Sequence, residues 1–271
     1  MEEGLLFTEE EWDAAMPNVV ERMTNFLRPY RVPIYENCND FGAGWGSGSF
    51  IQLAEKIFIL TNEHVSCVRD KKSLAYQLDG QDDIRRIIGN HAEYPAPLDI
   101  GLLPVDMACW SNSSHTSRAI ELENIALAHN PVPGELMTFT GFAGDNVNFH
   151  FSTLCAAGTC YTAREVELPE HQDISSRFHF GMDYRPEQSV TVIGNSGLPR
   201  LPGLSGSAVW NTRFVEAKMA GISWQPDMAR VTGIIWGWPS GSACLVATRA
   251  EYIRSFLLGA VTSLRLKTIQ V

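Results

Sequence analysis

Across residues 8–27 the apolar positions Trp12, Met16, Val19, Val20, Met23, Phe26 and Leu27 recur at helical spacing and form one stripe. Thr8, with Glu11 three positions on, makes a capping box, so the pattern predicts a helix that starts at residue 8. An apolar stripe fits a helix docked on the body of the protein, with a regulatory or partner-binding arm as the alternative. Pro29 and Pro33 are expected to bound a linker. From Ile34 the period changes. Short apolar runs at 48–53, 57–61, 73–78, 84–88 and 100–105 alternate with Gly, Asn, Asp and Pro clusters, which predicts an antiparallel meander or barrel. A second set lies at 125–128, 136–141, 147–154, 161–166, 178–182, 189–193, 207–210, 231–236 and 243–246. Residues 106–124 read as the link between the sets. Ala250, Ile253, Phe256 and Leu257 predict a short C-terminal helix over 249–258.

Composition narrows the picture. The chain has 271 residues, 45% of them hydrophobic, which suffices for one large domain or two small barrels side by side. Charged residues make up 19%, with 22 Gly and 14 Pro, a balance that favours strands and turns over long surface helices. A net charge of −10 argues against nucleic acid as the main partner. No apolar run reaches the length of about 18 residues that a membrane span needs. The acidic start, Met1-Glu2-Glu3-Gly4, lacks the basic and apolar regions of a secretion signal, so a cytoplasmic location is expected. The cysteines at 38, 67, 109, 155, 160 and 244 should then be reduced, mostly as small core residues. Cys155 and Cys160, on an expected hairpin, leave pairing or a metal site open.

Three stretches carry chemistry. In Gly203-Leu204-Ser205-Gly206-Ser207-Ala208-Val209-Trp210 a serine sits in a sharp, glycine-flanked turn ahead of an apolar run. Such a turn can hold a hydroxyl and aim several backbone N–H groups at one point, as a nucleophile with an oxyanion hole requires; it can equally be only a turn. Gly46-Ser47-Gly48-Ser49-Phe50 precedes Ile57-Phe58-Ile59-Leu60-Thr61-Asn62-Glu63-His64-Val65, a strand that delivers His64 at its end, where a base can meet solvent. Asp99 is a lone charge in the apolar run 97–103. It is either a solvated aspartate at a strand start or the group that accepts the His64 Nδ1–H. Gly42–Gly46 reads as a barrel loop near the site. There is no His-Glu-x-x-His helix and no framed phosphate loop, so neither a metal nor another cofactor is expected.

In this order, His64, Asp99 and Ser205 resemble the triad of the chymotrypsin-fold, trypsin-like serine proteases. The histidine motif Thr61-Asn62-Glu63-His64-Val65 is similar to that of the bacterial high-temperature-requirement type. Leu98-Asp99-Ile100-Gly101-Leu102-Leu103 resembles that family's aspartate motif, and Gly203-Leu204-Ser205-Gly206-Ser207 its nucleophile motif. The resemblance spans residues 34–256 in layout and is sharp only at these motifs. It implies an all-β fold of two six-stranded antiparallel barrels with an N-terminal helix and a short C-terminal helix. Helix and linker would occupy 1–33, the first barrel 34–115, and the second barrel with the C-terminal helix 116–271.

The resemblance also implies a serine endopeptidase acting on a polypeptide substrate through an acyl-enzyme. Ser205 would attack, His64 would move the proton, Asp99 would orient His64, and the N–H groups of Gly203 and Ser205 would bind the oxyanion. Ile235, Trp236 and Gly237 would pair with the substrate backbone; Gly221-Ile222-Ser223-Trp224 rivals that assignment, and core packing is an equal alternative for Trp236. Ser207 and Ala208 stand where the family has Gly and Pro, and Leu204 where it has a polar residue. No Ile-Val-Gly-Gly start is present, so activation by a freed N-terminus is not expected, and with so few residues after the barrel no peptide-binding PDZ module is expected. Residues 195–204 hold no Asp or Glu, so a small or apolar side chain is the expected preference over Arg or Lys. The alternatives are a catalytically silent protease-fold module that binds peptides or partners, and an enzyme gated by a regulatory protein.

Overall fold

The computed structural model describes residues 8–38, 41–144, 147–150, 153–193, 198–239 and 241–264. Helix α1 (Glu9–Leu27) starts where the capping box places it. Thr8 Oγ1 accepts the Glu11 N–H at 3.1 Å, and Glu11 Oε2 accepts the Thr8 N–H at 2.9 Å. Val19, Met23 and Leu27 are buried, so the helix is docked and is not a free arm. Each such side chain stabilises the fold by about 1.5–3 kcal/mol on burial.

The N-terminal half is a seven-stranded sheet. Its strands are β1 (Arg31–Cys38), β2 (Phe41–Leu53), β3 (Lys56–Thr61), β4 (Leu74–Gln77), β5 (Ile84–Arg86), β6 (Ala92–Tyr94) and β7 (Ile100–Pro104). They are ordered β5-β4-β1-β2-β3-β7-β6 and every pairing is antiparallel. Two of these strands carry no clear alternation in the sequence. Pro33 lies inside β1, not in a linker, and pairs with Ser47. The glycine-rich run 42–46 belongs to the long strand β2, not to a loop.

The second half closes into a barrel. Its strands are β8 (Leu136–Gly141), β11 (Thr159–Val166), β12 (His179–Asp183), β13 (Ala208–Asn211), β14 (Arg230–Gly237) and β15 (Cys244–Arg249), in the order β11-β12-β15-β14-β13-β8. A separate hairpin joins β9 (Val147–His150) to β10 (Thr153–Ala156). The run at 125–128 supplies only a bridge from Ile125 to Val231, and 189–193 forms no strand. The intervening stretch holds α3 (Met107–Asn112), and Ile120 stays bonded to Phe50 and Gln52 of β2. Helix α4 (Phe214–Met219) follows β13, and helix α5 (Ala250–Ser263) lies at the end of the described residues.

One apolar cluster lies between the two sheets. It joins Ile51, Phe58, Leu60, Ile100 and Leu102 to Trp210, Val231 and Ile234, and α1 and α5 flank it. The Trp210 ring packs against Phe26 at 6.0 Å and Tyr30 at 5.5 Å between centroids. A second cluster fills the barrel, with Phe139, Phe180, Met182, Leu204, Ile235 and Leu245. No helix among the described residues is long and apolar enough to cross a membrane.

Cys155 and Cys160 do not share a hairpin: β10 pairs with β9, whereas β11 pairs with β8 and β12. Cys160 is a free thiol opposite Thr140, and burial pushes its pKa up to about 11.

Candidate active site

The histidine arrives at the end of β3. Chain direction turns there into the short helix α2 (Glu63–Ser66), and His64 sits in its first turn with a ring that is 49% exposed. Asp99 precedes β7 and is 4% exposed. Its backbone adopts φ +51°, a left-handed conformation that aspartate tolerates better than most residues. One carboxylate oxygen, Oδ1, accepts the His64 backbone N–H at 2.9 Å; the other, Oδ2, lies 2.6 Å from His64 Nδ1. The double contact sets the ring with Nδ1 protonated and Nε2 outward. Asn62 of the same motif donates from Nδ2 to the Asp99 carbonyl at 2.8 Å.

The loop that carries Asp99 is also held by the barrel. His179, fully buried, donates from Nε2 to the Pro97 carbonyl at 2.8 Å and accepts the Ser175 N–H on Nδ1 at 3.2 Å. Thr248 Oγ1 donates to the Leu98 carbonyl at 2.9 Å. Burial holds the His179 pKa below the ordinary imidazole value, against the raising effect of its bond to Pro97. The neutral ring is therefore the folded form, and the unfolded chain binds more protons between the lowered value and about pH 6.5. Stability from this site is full above about pH 6.5 and is lost as pH falls toward the lowered folded value. Urea midpoints measured from pH 7.5 to pH 5 should fall more for wild type than for His179→Gln, which keeps a donor for Pro97 but cannot titrate. Equal slopes would remove His179 from the pH response.

Ser205 sits in the turn before β13, and its hydroxyl makes no hydrogen bond among the described residues. Ser205 and His64 make no hydrogen bond with each other, whereas His64 and Asp99 make two. The turn itself is firmly placed. Gly203 and Gly206 have φ of +99° and +87°. A Cβ on Gly206 would lie 2.2 Å from the Ser47 carbonyl oxygen and 2.3 Å from Thr61 Oγ1, so only glycine fits. The N–H groups of Gly203 and Ser205 have no partner among the described residues, whereas those of Leu204, Gly206 and Ser207 are all spent.

Ser47, His179 and Asn62 hold this arrangement together; Asn62 lies in the histidine motif, whereas no sequence pattern marks Ser47 or His179 for this role. Ser47 is fully buried in β2 and makes four hydrogen bonds. Its N–H donates to the Ser205 carbonyl at 2.9 Å and its carbonyl accepts from Thr61 Oγ1 at 2.7 Å. Its Oγ donates to the Gly203 carbonyl at 2.7 Å and accepts the Phe142 N–H at 2.7 Å. The only sequence signal is a serine in a run of glycines beside an apolar strand.

The expected substrate strand is the end of β14. Ile235 is 1% exposed and points into the barrel core. Its N–H donates to the Ser207 carbonyl at 2.9 Å and its carbonyl accepts the Gly206 N–H at 3.0 Å. Ile235 therefore has nothing left to offer a ligand. Pairing with the Ser205 turn stops there, and Trp236 and Gly237 continue past it, half-buried, paired among the described residues only with β15 through Gly237. The Trp236 ring tilts against His179, 5.5 Å between centroids. The rival stretch 221–224 forms no strand, and its Trp224 is bonded to the Thr212 carbonyl at 2.8 Å. No group of three or more His, Cys, Asp or Glu side chains among the described residues is arranged to hold a metal ion.

No protein-family model and no curated protein sequence matches the chain. Solved structures do. The MamO protease domain from Magnetospirillum magneticum, in its apo form, superposes with a TM-score of 0.50 at 14% identity, covering 84% of this chain and 95% of that one. Rv3671c from M. tuberculosis H37Rv, as an inactive serine-to-alanine mutant, gives 0.52 at 14% identity over 91% and 94%. The active form of the Rv3671c protease gives 0.50 at 13% identity over 94% and 89%. These likenesses establish the chymotrypsin-like serine protease fold.

Proposed function

We propose that the chain is a serine endopeptidase that hydrolyses peptide bonds through Ser205, His64 and Asp99. The observation that carries the reading is the Asp99 carboxylate on both the backbone N–H and ring Nδ1 of His64, at 2.9 and 2.6 Å. That contact fixes the tautomer that leaves Nε2 able to accept a proton. Ser205 Oγ attacks the carbonyl carbon as Nε2 takes its proton, and Asp99 stabilises the imidazolium. The oxyanion goes to the N–H groups of Gly203 and Ser205. The imidazolium gives its proton to the leaving amine, and water then releases the acyl group by the reverse sequence. Trp236 and Gly237 offer the edge along which the substrate backbone lies. The histidine motif at 61–65 favours the high-temperature-requirement branch, and four free cysteines at 67, 109, 160 and 244 favour a reducing, cytoplasmic setting.

The unmade contact between Ser205 and His64 favours a second reading, a silent protease-fold module that binds peptides or a protein partner. Labelling of the purified protein with a fluorophosphonate separates the two. Covalent labelling is expected, and a folded protein that never labels, alone or in cell extract, would leave only the binding module.

Side-chain preference follows from what lines the turn. Leu198 and Leu201 pack on the barrel core, and Tyr184 Oη donates to the Pro199 carbonyl at 3.1 Å. With no carboxylate in 195–204, cleavage of a peptide series should favour small or apolar side chains before the cut. A strong preference for Arg or Lys would overturn this.

A further inference from the structure

We infer that two buried hydroxyls, Ser47 and Ser207, are positioning residues that lock the turn carrying the outward oxyanion donors, so that the site assembles without a partner. The inference rests on the protease reading and concerns how its oxyanion hole is held.

A trans peptide unit points its C=O and N–H in opposite directions, so anchoring a carbonyl aims the following N–H the other way. Every carbonyl from Pro202 to Ser205 is anchored inward. Pro202 O accepts the Gly144 N–H at 2.8 Å, which turns the Gly203 N–H outward. Gly203 O accepts Ser47 Oγ at 2.7 Å. Leu204 O accepts both the Ser207 N–H at 3.1 Å and Ser207 Oγ at 2.7 Å, which turns the Ser205 N–H outward. Ser205 O accepts the Ser47 N–H at 2.9 Å. The two N–H groups left over are those of Gly203 and Ser205.

Both hydroxyls are fully buried and both bonds are short. Ser47 Oγ also holds the Phe142 N–H, two residues before the Gly144 that anchors Pro202. The side chain of Leu204, 2% exposed, is set in the barrel core, so the residue before the nucleophile is anchored by apolar packing and has no charge for an ion pair to hold. Serine at 207, where the resembling family carries glycine, supplies the second bond to Leu204 O. A Cβ on Gly141 would lie 2.1 Å from that hydroxyl, so the neighbouring strand leaves room for it only by being glycine.

The test uses the full chain, with a fluorophosphonate and a p-nitrophenyl ester as probes. Wild type should label without any partner. Ser207→Ala keeps the backbone bond to Leu204 O and should fold; Ser47→Ala leaves a buried N–H and carbonyl unpaired. In each variant kcat for the ester should fall about 10- to 100-fold with KM within about twofold, because donors that serve only the transition state are misaligned. A purely structural role would lower the melting temperature and leave kcat of the folded protein unchanged, which would overturn the inference. Wild type that labels only in cell extract would also overturn it while leaving the protease reading intact. Wild type that never labels would remove both.

Discussion

Ser205→Ala is expected to abolish fluorophosphonate labelling and to lower ester and peptide hydrolysis by about 10⁶-fold, while leaving stability within about 0.5 kcal/mol of wild type. The two halves of this expectation have separate origins. The loss of activity follows from removing the atom that forms the acyl-enzyme in the proposed mechanism. The unchanged stability follows from the structure, because Ser205 Oγ makes no hydrogen bond among the described residues and its removal leaves no polar group stranded. The turn keeps all its backbone bonds. His64→Ala should also abolish labelling but behave differently on unfolding. It strips the imidazole from a carboxylate that is 4% exposed and leaves that carboxylate with the backbone N–H of residue 64, at a cost of about 1–3 kcal/mol. Chemical denaturation of the two variants beside wild type measures both. Residual labelling of Ser205→Ala would place the nucleophile elsewhere.

Asp99→Asn should reduce the rate constant for labelling, and kcat for the ester, by about 10⁴-fold with KM little changed. The direction follows from hydrogen-bond inventory. An asparagine at this position keeps its carbonyl oxygen on the His64 N–H, the contact that Oδ1 makes at 2.9 Å. Its NH₂ group then faces Nδ1, 2.6 Å away in wild type, where only an acceptor serves. The ring must switch tautomer, Nε2 carries the proton, and it can no longer take one from Ser205. Substrate contacts are untouched, so binding survives. Stopped-flow labelling and steady-state ester kinetics read the effect, and a loss of less than about tenfold would mean that Asp99 holds the loop and not the tautomer.

Much of this site can be read along the chain. The Thr61–Val65 motif, the lone Asp99 and the glycine-flanked Ser205 are local patterns, and each marks a local event: the end of a strand, a buried charge, a sharp turn. The hinge between them is not local. The bond from Ser47 Oγ to Gly203 spans 156 residues, and that from His179 to Pro97 spans 82. No periodicity encodes a partner so far away. Ile235 shows the opposite failure. It lies in a motif that resembles a substrate strand, yet its N–H and carbonyl are both used to hold the Ser205 turn, and only Trp236 and Gly237 continue past that turn.

The sequence by itself determined the class of fold, the capped N-terminal helix, the C-terminal helix and most strands of both halves. Alternation, capping and turn chemistry act over a few residues and are written in order. Tertiary structure decided the rest. It drew Arg31–Cys38 into a strand despite Pro33, because pairing with β2 and β4 outweighs weak local preference. It separated Cys155 from Cys160 by assigning them to different sheets. It closed the second barrel through β8 and β13, and set α1 against Trp210 where both sheets meet. It also chose which of the turn's N–H groups remain unspent. Those outcomes depend on which buried donors and acceptors meet once the chain is packed, and only the packed chain specifies them.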